Sequence, residues 1–177
     1  QYPAVELLTA SAFILCLLSK GPGMGSAIMC MFSGILITAA FIDARHMYIP
    51  DGIHVLILLL SCISLAAGSG PAIINRLGGS LLTGGFLALV NLLSRGGVGW
   101  GDVKLFAASG LLIGAAPAMT ALLMGYVTAG LWYAVPLLRG RVGRKTQIPM
   151  APFFAVSLMI CGLWFRQLLL WYLGFFR

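Results

Sequence analysis

The chain has 177 residues, of which 60% are hydrophobic and 8% charged, and its formal net charge is +7. A soluble domain carries about 25% charged residues, so this composition excludes a water-exposed globular protein and points to one domain of bilayer-spanning helices. Basic residues in such a chain report topology, and without a clustered basic face on a soluble element they exclude nucleic acid as a partner.

A span needs about 20 apolar residues. The N-terminal Gln-Tyr-Pro-Ala-Val-Glu lacks the basic start of a signal peptide, so the first apolar run is expected to remain as a helix. The apolar runs predict helices at about 4–19, 24–43, 51–69, 77–94, 102–116, 117–138 and 148–173. Lys20-Gly-Pro-Gly23 separates the first two, Pro50-Asp51-Gly52 opens the third with Asp51 as its N-cap, and Gly68-Ser-Gly-Pro71 closes it. The fifth is short, about 22 Å at 1.5 Å per residue, and is separated from the sixth at Ala116-Pro117. With seven spans and a cytoplasmic N-terminus, Arg45, Arg95, Lys104, Arg139, Arg141, Arg144 and Lys145 fall inside, and Lys20, Arg76 and Arg177 fall outside. Merging helices five and six would spoil that bias. The expected fold class is an all-α polytopic membrane protein, a bundle of about six to seven transmembrane helices forming a single domain over 1–177. Gly78-Gly79-Ser80 and Gly84-Gly85 favour close helix packing.

The four cysteines, Cys16, Cys30, Cys62 and Cys161, lie in apolar runs without a CxxC spacing, which suggests neither a zinc site nor a disulfide framework. The four acidic residues are Glu6, Asp43, Asp51 and Asp102. An ionisable group at membrane depth is costly and a candidate for function. Glu6 reaches the interface near the chain end. Asp43 ends the second helix and Asp102 begins the fifth, after Gly99-Trp100-Gly101, so both fall at the cytoplasmic edge. Two close carboxylates that cannot both ionise share a proton, one acting as base on water and the other as acid toward a carbonyl. Gly96, Gly97, Gly99 and Gly101 would let an extended peptide approach the backbone. Residue types and spacing alone favour reading Asp102, at the head of a helix, as an N-cap over a catalyst.

Gly99-Trp100-Gly101-Asp102-Val103-Lys104-Leu105 resembles the GxGD motif of intramembrane aspartyl proteases, in the GxGDxKL form of type 4 prepilin peptidases. Ile42-Asp43-Ala44-Arg45-His46-Met47-Tyr48-Ile49-Pro50-Asp51 resembles that family's first motif, and Gln147-Ile148-Pro149-Met150-Ala151-Pro152-Phe153 its third. The resemblance implies an inner-membrane aspartic endopeptidase acting at the cytoplasmic face. It implies cleavage of the short basic leader of a prepilin or pseudopilin precursor after a glycine, with no cofactor or metal. It makes Asp43 and Asp102 the catalytic pair, supported by Gly99, Gly101, Lys104, Pro50, Pro149 and Pro152. Asp51 is expected to be a cap, because the family often has Asn there. Many members carry a cysteine-rich insertion and also N-methylate the pilin. No such insertion precedes Asp43 here, so the expectation is the short peptidase-only form of Flp-type and archaeal preflagellin enzymes.

Helix-end electrostatics favour Asp102 as the charged partner and Asp43 as the protonated one, with Lys104 either tuning Asp102 or snorkelling. His46 and His54 read as surface or packing residues, Trp100 as an interfacial anchor, and the basic cluster at 139–145 as a topology and anionic-lipid contact. Two other functions fit the composition: a proton-coupled transporter or channel using Asp43 and Asp102, and a non-catalytic scaffold subunit.

Overall fold

The computed structural model describes residues 2–138 and 148–175. Within them the chain forms seven helices and no strand: α1 (Tyr2–Lys20), α2 (Met24–His46), α3 (Asp51–Ala66), α4 (Ile73–Leu93), α5 (Trp100–Ile113), α6 (Ala115–Leu138) and α7 (Ala151–Phe175). Arg139, Arg141, Arg144, Lys145, Gln147 and Arg177 lie outside the described residues. Among the described residues, α1, α2, α4, α6 and α7 are long and apolar enough to cross a membrane. The 16 residues of α3 and the 14 of α5 give only about 24 and 21 Å at 1.5 Å per residue. The protein is a multi-pass membrane helix bundle. Large apolar side chains such as Leu7, Leu18, Ile74, Leu81 and Trp132 point outward, as a lipid-facing surface requires.

The break between α5 and α6 falls at Gly114, not at Ala116-Pro117. Gly114 has φ 88, a conformation that costs glycine little and other residues much. Pro117 sits inside the first turn of α6, where its missing N–H would have found no intrahelical acceptor. The two helices therefore stay distinct, although the expected punctuation was the wrong residue.

The short α5 lies at the centre, packed against α3, α4 and α6. Its contact with α4 is backbone to backbone. A Cβ placed on Gly79 would stand 2.5 Å from the Gly110 carbonyl oxygen, and one on Gly84 would stand 2.7 Å from the Ala107 Cβ. Glycine at both positions is what allows this approach. The buried Thr83 hydroxyl donates across the crossing to the Phe106 carbonyl (3.0 Å), fixing the register of α5 on α4. On the other side, Phe106 meets Phe154 of α7 edge to face, with centroids 4.9 Å apart. Both are fully buried and form the middle of the core with Phe32, Leu36 and Leu122.

Arg76 is not a flanking charge. Helix α4 begins at Ile73, so Arg76 lies in its first turn, 3% exposed. Its guanidinium donates to the carbonyls of Pro71 (2.8 Å), Leu111 (3.2 Å) and Ser69, and to the Ser64 hydroxyl (3.0 Å). The five donors of a guanidinium suit such a carbonyl cage. Arg76 thereby ties the α3–α4 turn to the end of α5.

Candidate active site

Helix α2 ends with Met47 in the left-handed region (φ 51), its N–H donating to the Asp43 carbonyl (2.8 Å). Asp43 thus lies inside the last turn, 7% exposed. Its carboxylate accepts the backbone N–H of Ala151 (2.9 Å), the first residue of α7. The opening N–H groups of a helix have no intrahelical acceptor, and Pro152 next to Ala151 has no N–H to offer. The Ile148-Pro149-Met150-Ala151-Pro152 segment therefore presents a donor to Asp43, and its prolines act through the backbone.

Asp102 is the third residue of α5. The N-cap is Gly99, and it makes no side-chain capping bond. Among the described residues the Asp102 carboxylate takes part in no hydrogen bond and no ion pair. It faces a cavity of about 780 Å³ that Asp43 also lines, along with Asp51, Lys104, Tyr126 and the 96–101 segment. The two carboxylates are close enough for their charges to interact. Three of the chain's four acidic residues thus surround one cavity.

The segment after Asp43 is fastened to the segment before Asp102. Ile49 is buried against Gly101, where an added Cβ would stand 3.3 Å from the Ile49 Cβ. His54, 5% exposed, places Nε2 2.9 Å from the Gly101 carbonyl oxygen and Nδ1 3.3 Å from that of Pro50. His54 is thus a link between the two motif segments, which is more than packing. Asp51 is the first residue of α3 and makes no capping bond, since Pro50 occupies the cap position. It pairs instead with Lys104 (2.6 Å). Asp51 is therefore not the cap that was expected, and Lys104, expected either to tune Asp102 or to snorkel, makes its contact with Asp51. At Gly99, φ −65 and ψ 135 suit any residue. A Cβ there would lie 3.5 Å from Asp102 Oδ2, so glycine leaves that face of the carboxylate open.

Asn91 is a residue the sequence reading passed over. It is 3% exposed. With its amide oriented to satisfy both neighbours, its nitrogen donates to the Val98 carbonyl (2.9 Å) and its oxygen accepts from Trp100 Nε1 (3.1 Å). It holds the glycine-rich segment from the end of α4, and Trp100 is anchored through its indole N–H while its ring stays exposed. The signal was present: one amide inside Leu89-Val90-Asn91-Leu92-Leu93.

Because the Asp51–Lys104 pair is solvent-exposed on both sides, its contribution is small. Asp51→Asn is expected to leave the stability of the bundle to thermal unfolding in detergent nearly unchanged. A clear loss would show that the pair holds α3 against α5.

Residues 30–134 match the model of the type IV leader peptidase family. The chain is 31% identical to a prepilin leader peptidase/N-methyltransferase of Aeromonas hydrophila, over 98% of this chain and 61% of that protein. It is 29% identical to one of Bacillus subtilis, over 98% of this chain and 70% of the relative. It is 34% identical to a type 4 prepilin-like proteins leader peptide-processing enzyme of Escherichia coli, over 89% of this chain and 59% of the relative. The chain therefore spans about three fifths of the Aeromonas and Escherichia proteins. No solved structure matches it. With the family model covering more than half of its length, the chain belongs to the type IV leader peptidase family.

Proposed function

We propose that this protein is an intramembrane aspartyl endopeptidase. It removes the short basic leader of a type IV prepilin or pseudopilin precursor, cutting after a glycine at the cytoplasmic face of the inner membrane. The observation that carries the reading is the convergence of Asp43 and Asp102, from two different helices, on one cavity beside a glycine-rich segment.

The hydrogen bonds favour a division of labour opposite to the one expected from helix-end electrostatics. Asp43 accepts the Ala151 N–H at the positive end of α7, which suits a carboxylate acting as base. Asp102 has no such donor among the described residues and is the partner that carries the shared proton. Asp43 takes a proton from water, and the hydroxyl oxygen bonds to the scissile carbonyl carbon. Asp102 gives its proton to the carbonyl oxygen. When the tetrahedral species collapses, the C–N bond breaks, the leaving nitrogen receives the proton held on Asp43, and one hydroxyl of the diol returns its proton to Asp102, which leaves a carboxylic acid product and the starting pair. The glycine segment, with little side-chain bulk, lets the substrate backbone lie extended along it.

Proton-coupled transport would need polar groups continuing from the carboxylates through the bundle. One turn from Asp102, Phe106 is fully buried against Phe154, which favours a closed reaction site over a path. A pair of carboxylates on one cavity is the equipment of peptide hydrolysis, so the peptidase half of the relatives' printed activities is the half assigned here. The test is purified protein incubated with a prepilin and S-adenosylmethionine, read by mass spectrometry. The expected product is mature pilin with an unmodified N-terminus. No cleavage would sink the protease reading, and a gain of one methyl dependent on this protein alone would refute the peptidase-only form.

A further inference from the structure

An aspartyl pair handles the protons of hydrolysis, yet the carbonyl oxygen of the tetrahedral species has room for a second donor. Four cavity-lining side chains could supply one: Tyr48, Trp100, Lys104 and Tyr126. Lys104 is held by Asp51 at 2.6 Å, and Trp100 Nε1 is held by Asn91 at 3.1 Å. Tyr48 is 59% exposed, in the turn beyond α2. Tyr126 differs on each count. It lies inside α6, within electrostatic reach of Asp102, and its hydroxyl makes no hydrogen bond among the described residues.

Its position is also fixed. The Tyr126 ring packs edge to face on Phe154 at 5.2 Å and 74°, and Phe154 packs the same way on Phe106. Phe106 is four residues from Asp102 on α5, so the two share a helix face. Next to Tyr126, Gly125 brings α6 so close to α7 that an added Cβ would stand 2.5 Å from Phe154 Cδ1. A rigid aromatic stack therefore sets Tyr126 in register with Asp102, as a preorganised donor requires.

Building on the protease reading, we propose that Tyr126 is a third catalytic residue, its hydroxyl donating a hydrogen bond to the scissile carbonyl oxygen as that oxygen becomes tetrahedral. No proton leaves the phenol; Asp102 still supplies the one that is transferred. The occupant is a peptide bond of an extended substrate, polarised from two sides.

The test uses the full chain in liposomes, comparing unmodified protein, Asp43→Asn and Tyr126→Phe, which keeps the ring on Phe154. Tyr126→Phe is expected to lower kcat about 10²-fold with KM nearly unchanged. It should also weaken binding of a hydroxyethylene peptide analogue while sparing an uncleaved leader peptide. A kcat near that of the unmodified protein, or a rise in KM with analogue binding unchanged, overturns the role of Tyr126. If the unmodified protein cleaves and Asp43→Asn does not, only Tyr126 falls in that case; if the unmodified protein does not cleave, both readings fall. Should Tyr126→Phe fail to accumulate, difluorotyrosine at position 126 keeps ring and hydroxyl but acidifies the phenol. While protonated it is the stronger donor, so the hydroxyethylene analogue should bind more tightly at a pH below the ionisation of that phenol, and unchanged binding overturns the proposal.

Discussion

Asp43→Asn and Asp102→Asn are each expected to lower prepilin cleavage at least about 10³-fold while leaving the protein folded. Asparagine matches aspartate in shape. At position 43 its amide oxygen can still accept the Ala151 N–H that the carboxylate accepts at 2.9 Å, so the α2–α7 contact survives. What it cannot do is take a proton from water or hand one to a carbonyl oxygen. The two residues act as a unit, so the double variant should be hardly worse than either single one. For the same reason the pH–rate profile should be bell-shaped, with limbs that belong to the pair. Glu6→Gln, on the lipid-side helix α1 and outside the cavity, should cleave normally. The measurement is initial rate against substrate concentration at matched protein levels. One variant cutting at the normal rate would remove that residue from the pair, and two would end the aspartyl mechanism.

Local signals made the helix order legible. Apolar runs broken by glycine and proline gave seven helices in the observed order. The small-residue pattern at Gly79 and Gly84 foretold a tight crossing, because the absence of a Cβ is visible in a sequence. Contacts between distant segments were not visible. Lys104 and Asp51 are 53 positions apart, and with Asp102 only two residues from Lys104 the nearer carboxylate was the natural guess. The α5 start shows the same limit: an aspartate heading a helix looks like a cap, but a one-turn shift puts Gly99 at the cap and frees Asp102 for the cavity. Arg76 was misplaced because the start of α4 was set four residues late. Once the helix begins at Ile73, a flanking charge becomes a buried clamp.

The second large effect lies away from the chemistry. Gly110→Ala is expected to destabilise the bundle by more than about 3 kcal/mol, beyond the usual cost of overpacking. The added methyl would meet the backbone of Gly79 and Ser80. A flexible side chain can swing aside, but helix backbone moves only if α4 and α5 separate along their length. That separation would also strain the Thr83 bond to the Phe106 carbonyl, and α5 carries Asp102 two turns from Gly110. Gly84→Ala should cost less, since it meets chiefly one Ala107 methyl at 2.7 Å. Gly85→Ala should be neutral or slightly stabilising. Its Cβ would meet nothing within 4 Å, and alanine in a helix gains about 0.5–1 kcal/mol over glycine. Thermal unfolding in detergent gives the ranking, and cleavage rate by the surviving folded fraction gives its consequence for Asp102. If Gly110→Ala proved as stable and active as Gly85→Ala, α4 and α5 would not meet backbone to backbone, and the placement of Asp102 would need another support.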